Sequence, residues 1–262
     1  MLDFESKAFY NVYDLKEIIR LLRTEDGCPW DREQTHESIR RNFIEETYEV
    51  CEAIDEKNAE HLKEELGDVL MQVIFHSAIE EELGSFTLDD VADATCKKLI
   101  FRHPHVFGDV QVRDSAEVLS NWDKLKMKEK KQSSAADTLD SVAKSLPALW
   151  RAEKVQKKAA KVGFDWRDVS GALDKLSEEL DELREAIAKG EGVEEELGDL
   201  LFSAVNAARF VKVDPEDALN RSSDKFIRRF RALECAAEEL GGLENLSLEE
   251  MDRLYNEVKK SI

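Results

Sequence analysis

The sequence contains EETYEVCEAI at residues 45–54 and a close variant of it, EELDELREAI, at residues 178–187. Each stretch is followed by the same second acidic block, EELGD, at residues 64–68 and again at residues 195–199. Acidic motifs that recur in the same order, with similar gaps between them, predict two homologous domains in one chain.

The repeat extends beyond the acidic blocks on both sides. GCPWD at residues 27–31 precedes the first copy and GFDWR at residues 163–167 precedes the second. KKLIFRHP at residues 97–104 and DKFIRRF at residues 224–230 follow them. Several matching landmarks in one order strengthen the prediction of a duplicated domain.

The composition favours an all-α protein. The 262 residues include only 4 prolines and 11 glycines, while 42% are hydrophobic. Few chain breakers and ample apolar material are typical of packed helices. We expect a first helical bundle domain at residues 1–127, a polar linker rich in Lys, Ser and Ala at residues 128–146, and a second helical bundle domain at residues 147–262.

The acidic residues are predicted to line the margins of helix faces. Glu46 and Glu49 are three residues apart beside an apolar stripe, and Glu65 and Asp68 are placed similarly on the next helix. The second copy offers four equivalent acids: Glu179, Glu182, Glu196 and Asp199.

A solvated acidic face is the ordinary explanation for one such block, but the repeated ExxD block favours a metal site. Carboxylates grouped at the margin of a core repel one another, and burial raises their pKa values. A divalent cation relieves both costs. Ligands that are all oxygen favour Mg²⁺, with Mn²⁺ as a substitute.

Two cationic pairs follow the acidic blocks. Lys98 and Arg102 are four residues apart, as are Lys225 and Arg229, so each pair can share one helix face. Arginine and lysine suit phosphate binding, and a metal beside such a pair is typical of phosphoryl chemistry. Surface ion pairing remains the alternative for either pair alone.

The two copies differ in their polar residues. Lys175 lies four residues before Glu179, whereas the first copy has Asn42 at that position. Asn206 lies seven residues after Asp199, whereas the first copy has Phe75. These differences favour the second copy as the better-equipped nucleotide site.

The bulk charge limits the partners. A formal net charge of −20 repels phosphate polymers, so broad nucleic-acid binding is not expected. The acidic beginning of the chain does not resemble a signal peptide, and no apolar run is long enough for a membrane. Four cysteines without CxxC spacing fit reduced thiols, so we expect a cytoplasmic protein.

The EExxE and ExxD motifs resemble the signature of the all-α nucleoside triphosphate pyrophosphohydrolases. Their duplication, together with GCPWD, RHPHVFGD and VGFDW, resembles the full-length MazG proteins. This resemblance implies Mg²⁺-dependent hydrolysis of nucleoside triphosphates, including ATP, to the monophosphate and pyrophosphate. It also implies nucleotide house-cleaning, and bundles completed by association into a homodimer or larger homo-oligomer.

The resemblance also implies roles for individual residues. The metal ligands would be Glu179, Glu182, Glu196 and Asp199, with Glu46, Glu49, Glu65 and Asp68 in the first copy. Lys175, Lys225 and Arg229 would contact the phosphates, and Tyr255 would stack on the base. Lys126 would reach a neighbouring site. The first copy also keeps Lys98 and Arg102, which leaves open whether it is active, binds metal only or serves assembly.

In the expected mechanism, a metal-activated water attacks the α-phosphorus, with Glu178 or Glu182 as the general base. One rival is a di-iron bundle, which would use ExxH pairs that both acidic blocks lack. The second rival is a non-catalytic helical protein that binds nucleotides or a partner for regulation.

Overall fold

The protein folds into two compact helical units, Met1–Lys126 and Met127–Ile262. A computed structural model describes residues 4–129 and 134–261, and all regular secondary structure in those ranges is helical. The prediction of an all-α protein is therefore confirmed. Within the same ranges, no helix combines the length and the apolar character needed to cross a membrane.

The first unit is built around a helical hairpin. Its helices are α1 (Val12–Leu22), α2 (Pro29–Glu33), α3 (His36–Glu56), α4 (Ala59–Glu82), α5 (Leu88–Arg102), α6 (Pro104–Phe107) and α7 (Ser115–Glu129), the last of which ends just beyond the unit boundary. Helices α3 and α4 pack along each other, and α1 and α5 pack against α4.

The second unit repeats this hairpin. Its helices are α8 (Ala135–Asp140), α9 (Ala148–Lys161), α10 (Val169–Lys189), α11 (Val193–Phe210), α12 (Pro215–Glu238) and α13 (Leu248–Ser261), with a 3₁₀ turn at Leu243–Asn245. Helices α10 and α11 form the hairpin, α9 packs on α11, and α13 packs on α12. Of the predicted linker at 128–146, residues 130–133 lie outside the described ranges, and α8 lies within the remainder.

Short connections fix the hairpins. Helix α3 is followed by Lys57 in the left-handed region, with φ 57°. The Asn58 side chain then caps α4 by accepting from the backbone N–H of His61. Gly190 and Gly192, both with φ 74°, make the corresponding reversal between α10 and α11. Because the reversal is short, the acidic residues of the two helices are held side by side.

Side-chain caps begin the helices that follow the two hairpins. Thr87 and Asp90 form a capping box at the beginning of α5. Asp214 caps α12, with Pro215 at its first helical position. These caps satisfy backbone N–H groups that a helix start leaves without partners.

The two cores are centred on equivalent residues. Ile74 in α4 is 0% exposed and Val205 in α11 is 2% exposed. Each lies six residues after the aspartate of its EELGD block. Ile74 packs among Ile19, Ile39, Phe75, Ala78 and Ile79. The duplicated sequence therefore produces a duplicated packing scheme as well as duplicated acids.

Ile74→Ala is expected to destabilise the first unit by about 2–5 kcal/mol, because it removes buried methyl groups and leaves a cavity. Denaturant unfolding followed by circular dichroism would measure the loss in free energy of unfolding. Leu83→Ala, at the exposed end of the same helix, serves as the control and should change stability by under about 1 kcal/mol. Equal losses from both substitutions would contradict this core assignment.

Candidate active site

The first hairpin gathers acids from both of its helices. Carboxylate oxygens of Glu46 and Glu49 on α3 and of Glu65 on α4 all lie within 4.8 Å of one another. Burial raises the pKa of Glu46, and the charges of Asp68 and Glu49 raise it further. Burial also raises the pKa of Glu65, with Glu49 adding to the effect. The structure thus brings together all four acids predicted for this copy.

The second hairpin also gathers acids from both of its helices. Here the close group contains one acid from the first helix and two from the second, whereas the first hairpin has two and one. Glu179 on α10 lies within 4.8 Å of Glu196 and Asp199 on α11, measured between carboxylate oxygens. Glu182 is exposed beside this group, where partial desolvation and a hydrogen bond with Glu179 raise its pKa. Glu179 itself is buried. The four acids predicted for this copy therefore also meet.

A lysine accompanies the second cluster, as its spacing from the acids predicts. The Lys175 ammonium lies 2.7 Å from a carboxylate oxygen of Glu178 and 2.8 Å from one of Glu179. Hydrogen bonds to these two glutamates raise the pKa of Lys175 above its ordinary value. Glu178 is exposed, so it holds the lysine from the outer side of the cluster.

The first cluster has a cation that the sequence analysis missed. His61 on α4 lies 3.2 Å from a carboxylate oxygen of Glu65 and 3.0 Å from one of Glu56. The hydrogen bond that His61 donates to Glu56 raises the pKa of His61. Its spacing of four residues before Glu65 is the signal that would have identified it. Gly192 occupies the corresponding position before Glu196.

Asn206 lies in a polar network near the end of α11. Its side-chain oxygen accepts hydrogen bonds from Arg209, at 3.2 Å from Nε and 2.8 Å from Nη2. Arg209 also pairs with Asp165, with 2.9 Å between Nη1 and Oδ2. This pairing lowers the pKa of Asp165. The side-chain oxygen of Asn206 therefore acts as the hydrogen-bond acceptor in this network, and the NH₂ group is the donor end.

Two of the basic residues predicted for the first copy lie beside one aromatic ring. Arg102 is buried with its guanidinium 5.2 Å from the centre of the Trp122 ring, and the Lys126 ammonium lies 5.2 Å from the same ring. Lys98 is exposed on α5, one turn before Arg102. Trp122 thus joins the end of α5 to α7.

The remaining predicted phosphate and base ligands lie on α12 and α13. Lys225 is exposed and Arg229 is half-buried on α12. The Tyr255 ring on α13 has its centre 6.0 Å from that of Phe226 on α12. Within the described ranges, no hydrogen bond or ion pair joins Lys225, Arg229 or Tyr255 to the acidic cluster of the second unit.

Both clusters fit a hard divalent cation. Their closely grouped donor atoms are all carboxylate oxygens, which such cations prefer. Desolvation raises the pKa values of Glu46, Glu65 and Glu182, and repulsion from neighbouring acids adds to the effect, so a bound cation would relieve both costs.

Comparison with known proteins agrees with this arrangement. The model of the MazG nucleotide pyrophosphohydrolase domain matches twice, at residues 34–107 and 168–233. These ranges contain both acidic hairpins.

Several relatives match most of the chain. The nucleoside triphosphate pyrophosphohydrolase/pyrophosphatase MazG of Thermotoga maritima is 47% identical over 94% of both chains. The nucleoside triphosphate pyrophosphohydrolase of Escherichia coli strain K12 is 43% identical over 92% of this chain and 94% of its own. The uncharacterized protein YabN of Bacillus subtilis is 50% identical over 98% of this chain and 53% of its own. The predicted resemblance is confirmed, and the chain belongs to the MazG family of nucleotide pyrophosphohydrolases.

Proposed function

We propose that this protein hydrolyses nucleoside triphosphates to the monophosphate and pyrophosphate, with Mg²⁺ as its metal and Mn²⁺ as a substitute. The observation that carries the proposal is the second hairpin, where four carboxylates meet beside Lys175. The names of the full-length relatives from Thermotoga maritima and Escherichia coli support the same reaction.

Glu179, Glu182, Glu196 and Asp199 would hold the metal in the second unit. When bound there, Mg²⁺ neutralises triphosphate charge and lowers the pKa of a bound water. The hairpin contributes rigidity, because its acids project from two packed helices rather than from loops. The first unit would hold metal through its equivalent acids, Glu46, Glu49, Glu65 and Asp68.

Lys175 and Glu182 have separable roles in this proposal. Lys175 is held by Glu178 and Glu179, which leaves ammonium donor capacity for a phosphate oxygen. Glu182 lies beside the group formed by Glu179, Glu196 and Asp199, where its carboxylate would accept a proton from a water at the cluster. Because Glu178 is engaged with Lys175, we assign the general-base role to Glu182.

The more distant cations would extend the site. Lys225 and Arg229, four residues apart on one face of α12, would bind the triphosphate tail. Lys98, Arg102 and Lys126 would bind a triphosphate tail only if the first unit also acts on nucleotides. The net charge of −20 supports action on free nucleotides rather than on nucleic-acid polymers, and the proposed place of action is the cytoplasm.

Association into a homodimer or larger homo-oligomer is part of the proposal. Leu173, Leu180 and Ile187 repeat every seven residues along α10, and all three are exposed. Leu197 and Leu201 on α11 are also exposed. A contiguous apolar stripe on a hairpin of this kind marks a protein contact surface.

Replacing the acids should abolish hydrolysis by the second unit. Glu179→Gln and Glu182→Gln each remove a charge that holds the metal, so turnover should fall at least about 100-fold while helicity is unchanged. The assay incubates nucleoside triphosphates with Mg²⁺ and measures phosphate with and without inorganic pyrophosphatase. Signal only with the added enzyme identifies cleavage between the α and β phosphates. Glu185→Gln, an exposed change on the same helix, should retain activity; wild-type rates in both cluster variants would contradict the assignment.

The stability of the metal-free protein should depend on pH through Glu182. Its pKa is raised in the fold, so its favourable contribution is present at acid pH and is lost as pH rises from the ordinary glutamate value of 4.5 through the folded pKa. In EDTA at pH 8, Glu182→Gln should therefore unfold at a higher temperature than the wild type. Mg²⁺ should raise the unfolding temperature of the wild type more than that of the variant. An unchanged or lower unfolding temperature for Glu182→Gln in EDTA would contradict this account.

A charge placed on the apolar stripe should disrupt assembly. Ile187 is 61% exposed, so Ile187→Glu adds no strain within the single chain but buries an unpaired carboxylate at the proposed interface. Light scattering after size exclusion should then give a smaller mass than the wild type. Lys189→Glu places a carboxylate at an exposed polar position on the same helix and should keep the wild-type mass. A monomeric wild type would reject the proposed assembly.

A further inference from the structure

The open end of the first hairpin, opposite its connecting turn, contains two histidines and a glutamate that the proposed chemistry does not use. His36 is the first residue of α3, while His76 and Glu80 lie one turn apart on α4. A hydrogen bond of 2.7 Å joins the Nδ1 atoms of the two histidine rings. The other ring nitrogen of His36, Nε2, lies 2.8 Å from a carboxylate oxygen of Glu80. These contacts connect the beginning of α3 to the later part of α4.

The surroundings of this cluster hold its geometry. The planes of the two imidazole rings are inclined by only 9° and their centres are 5.0 Å apart, as expected for an edge-to-edge hydrogen bond. The Phe43 ring on α3 packs beside His76, with 5.6 Å between the ring centres. Hydrogen bonds from Ser85 and His36 lower the pKa of Glu80, so its carboxylate is charged near neutral pH. The histidine pair thus has an anion on the His36 side.

The hydrogen bond between the rings limits how many protons the pair can hold. Because the Glu80 carboxylate accepts, His36 carries a proton on Nε2. One further proton lies between the two Nδ1 atoms, whichever ring it belongs to. If both rings were fully protonated, one N–H would point at another and two cations would face each other, so this hydrogen bond would be lost. The closed pair is therefore compatible with at most one positive charge.

Other charged groups lie at this end of the hairpin, on α4 and on the helices packed against it. They are Lys16 and Arg23 from α1 and the residue after it, Glu37 and Arg40 from α3, Glu81 and Glu82 from α4, and Asp89 and Asp90 from α5. The two cations from the α1 side pair with Glu81 and Glu82, at 3.0 and 2.7 Å. Within the described ranges, no hydrogen bond or ion pair joins any of these eight groups to either ring. A charge on His76 therefore lacks a direct carboxylate partner among the described residues.

A second proton on the pair is consequently costly in the closed form. Partial burial lowers the pKa of His76, and the charge of His36 lowers it further. If the beginning of α3 leaves α4, the His76 ring is solvated and its pKa returns toward the ordinary value of 6.5. The open form then binds the proton more readily than the closed form. Opening therefore becomes easier as pH falls below 6.5.

The acidic cluster of the same hairpin responds to pH in the opposite sense. The pKa values of Glu46, Glu65 and His61 are raised in the fold, so protonation of these groups favours the folded hairpin as pH falls. The pKa of Glu80 is lowered, so its contribution is lost only below the ordinary carboxylate value of 4.5. A hairpin that loosens in mild acid would therefore do so through the histidine pair and not through these groups.

The second hairpin has no counterpart of the histidine pair. Counted from the matching acidic blocks, the positions equivalent to His36, His76 and Glu80 are occupied by Val169, Ala207 and Val211. Val169 begins α10 as His36 begins α3. None of these three side chains can take up a proton, so the second hairpin serves as an internal comparison.

We propose that His36, His76 and Glu80 form a proton-sensitive lock at the open end of the first hairpin. With at most one charge on the two rings, the lock is closed and the beginning of α3 is held against α4. When both rings are charged, the hydrogen bond between them breaks and this end of the hairpin opens. Mild acidification thus loosens the first unit but not the second. The inference is independent of the proposed hydrolysis, because none of the three residues belongs to an acidic cluster.

Hydrogen–deuterium exchange of the full-length protein tests the lock. Exchange is measured between about pH 7.5 and about pH 5.5 and divided by the intrinsic rate at each pH, which gives a protection factor for each peptide. Protection of residues 36–43 and 72–80 should fall at least about threefold over this range, because one unit of pKa depression corresponds to an about tenfold change in opening. The equivalent residues of the second hairpin, 169–176 and 203–211, should keep or gain protection.

Three variants assign the response to the lock. The double substitution His36→Val and His76→Ala installs the residues of the second unit and should abolish the loss of protection in the first hairpin. Glu80→Gln keeps both rings but removes the anion beside His36, so the loss should begin at a higher pH than in the wild type. His105→Ala removes a histidine elsewhere in the same unit and should keep the wild-type response.

The proposal is overturned if the two hairpins of the wild type respond equally to pH, or if the folded double variant keeps the wild-type response. It is also overturned if Glu80→Gln leaves the pH of opening unchanged, or if His105→Ala abolishes the response. Circular dichroism at about pH 7.5 checks that each variant folds. The comparison of hairpins in the wild type and the Glu80→Gln variant decide the question even where the double variant does not fold.

Discussion

Repulsion among carboxylates packed between two helices is the constraint on which the rest of this structure depends. Each hairpin forces acids from neighbouring helices to within 4.8 Å, and burial adds a desolvation cost for their charged forms. The hairpins tolerate this because their connections are short and their cores are centred on Ile74 and Val205. The free energy of helix packing thus keeps these charges close together although they repel one another. The acids are therefore already in place to bind a cation.

The two units compensate this charge differently, even though the acids are the same. The second unit uses Lys175, which lies on the first helix of its hairpin, while the first unit uses His61 on the second helix. A lysine remains cationic near neutral pH, whereas the charge of a histidine depends on its surroundings. Duplication therefore preserved the acidic scaffold while the cations beside it changed independently.

Much of this arrangement follows from local spacing, which is why the sequence predicted it. Carboxylates three residues apart, and Lys175 four residues before Glu179, are neighbours on any α-helix. The helix starts at Thr87 and Asp214 follow from cap chemistry in the same way. Contacts between distant parts of the chain carry no such signal. Neither the pairing of Arg209 with Asp165 nor the stacking of Arg102 on Trp122 can be read from spacing, because both depend on tertiary packing.

Buried polar side chains are compensated to different extents within each unit. In the first unit, Arg23 donates to Glu82 and to the backbone oxygens of Asp31 and Gln34, so its buried guanidinium is well compensated. Gln72 in the first unit and Gln156 in the second each keep a buried side-chain oxygen that accepts no hydrogen bond within the described residues. A buried polar atom without a partner carries a free-energy cost. Helix packing around Ile74 and Val205 offsets this cost in both units, as it offsets the repulsion among the acids.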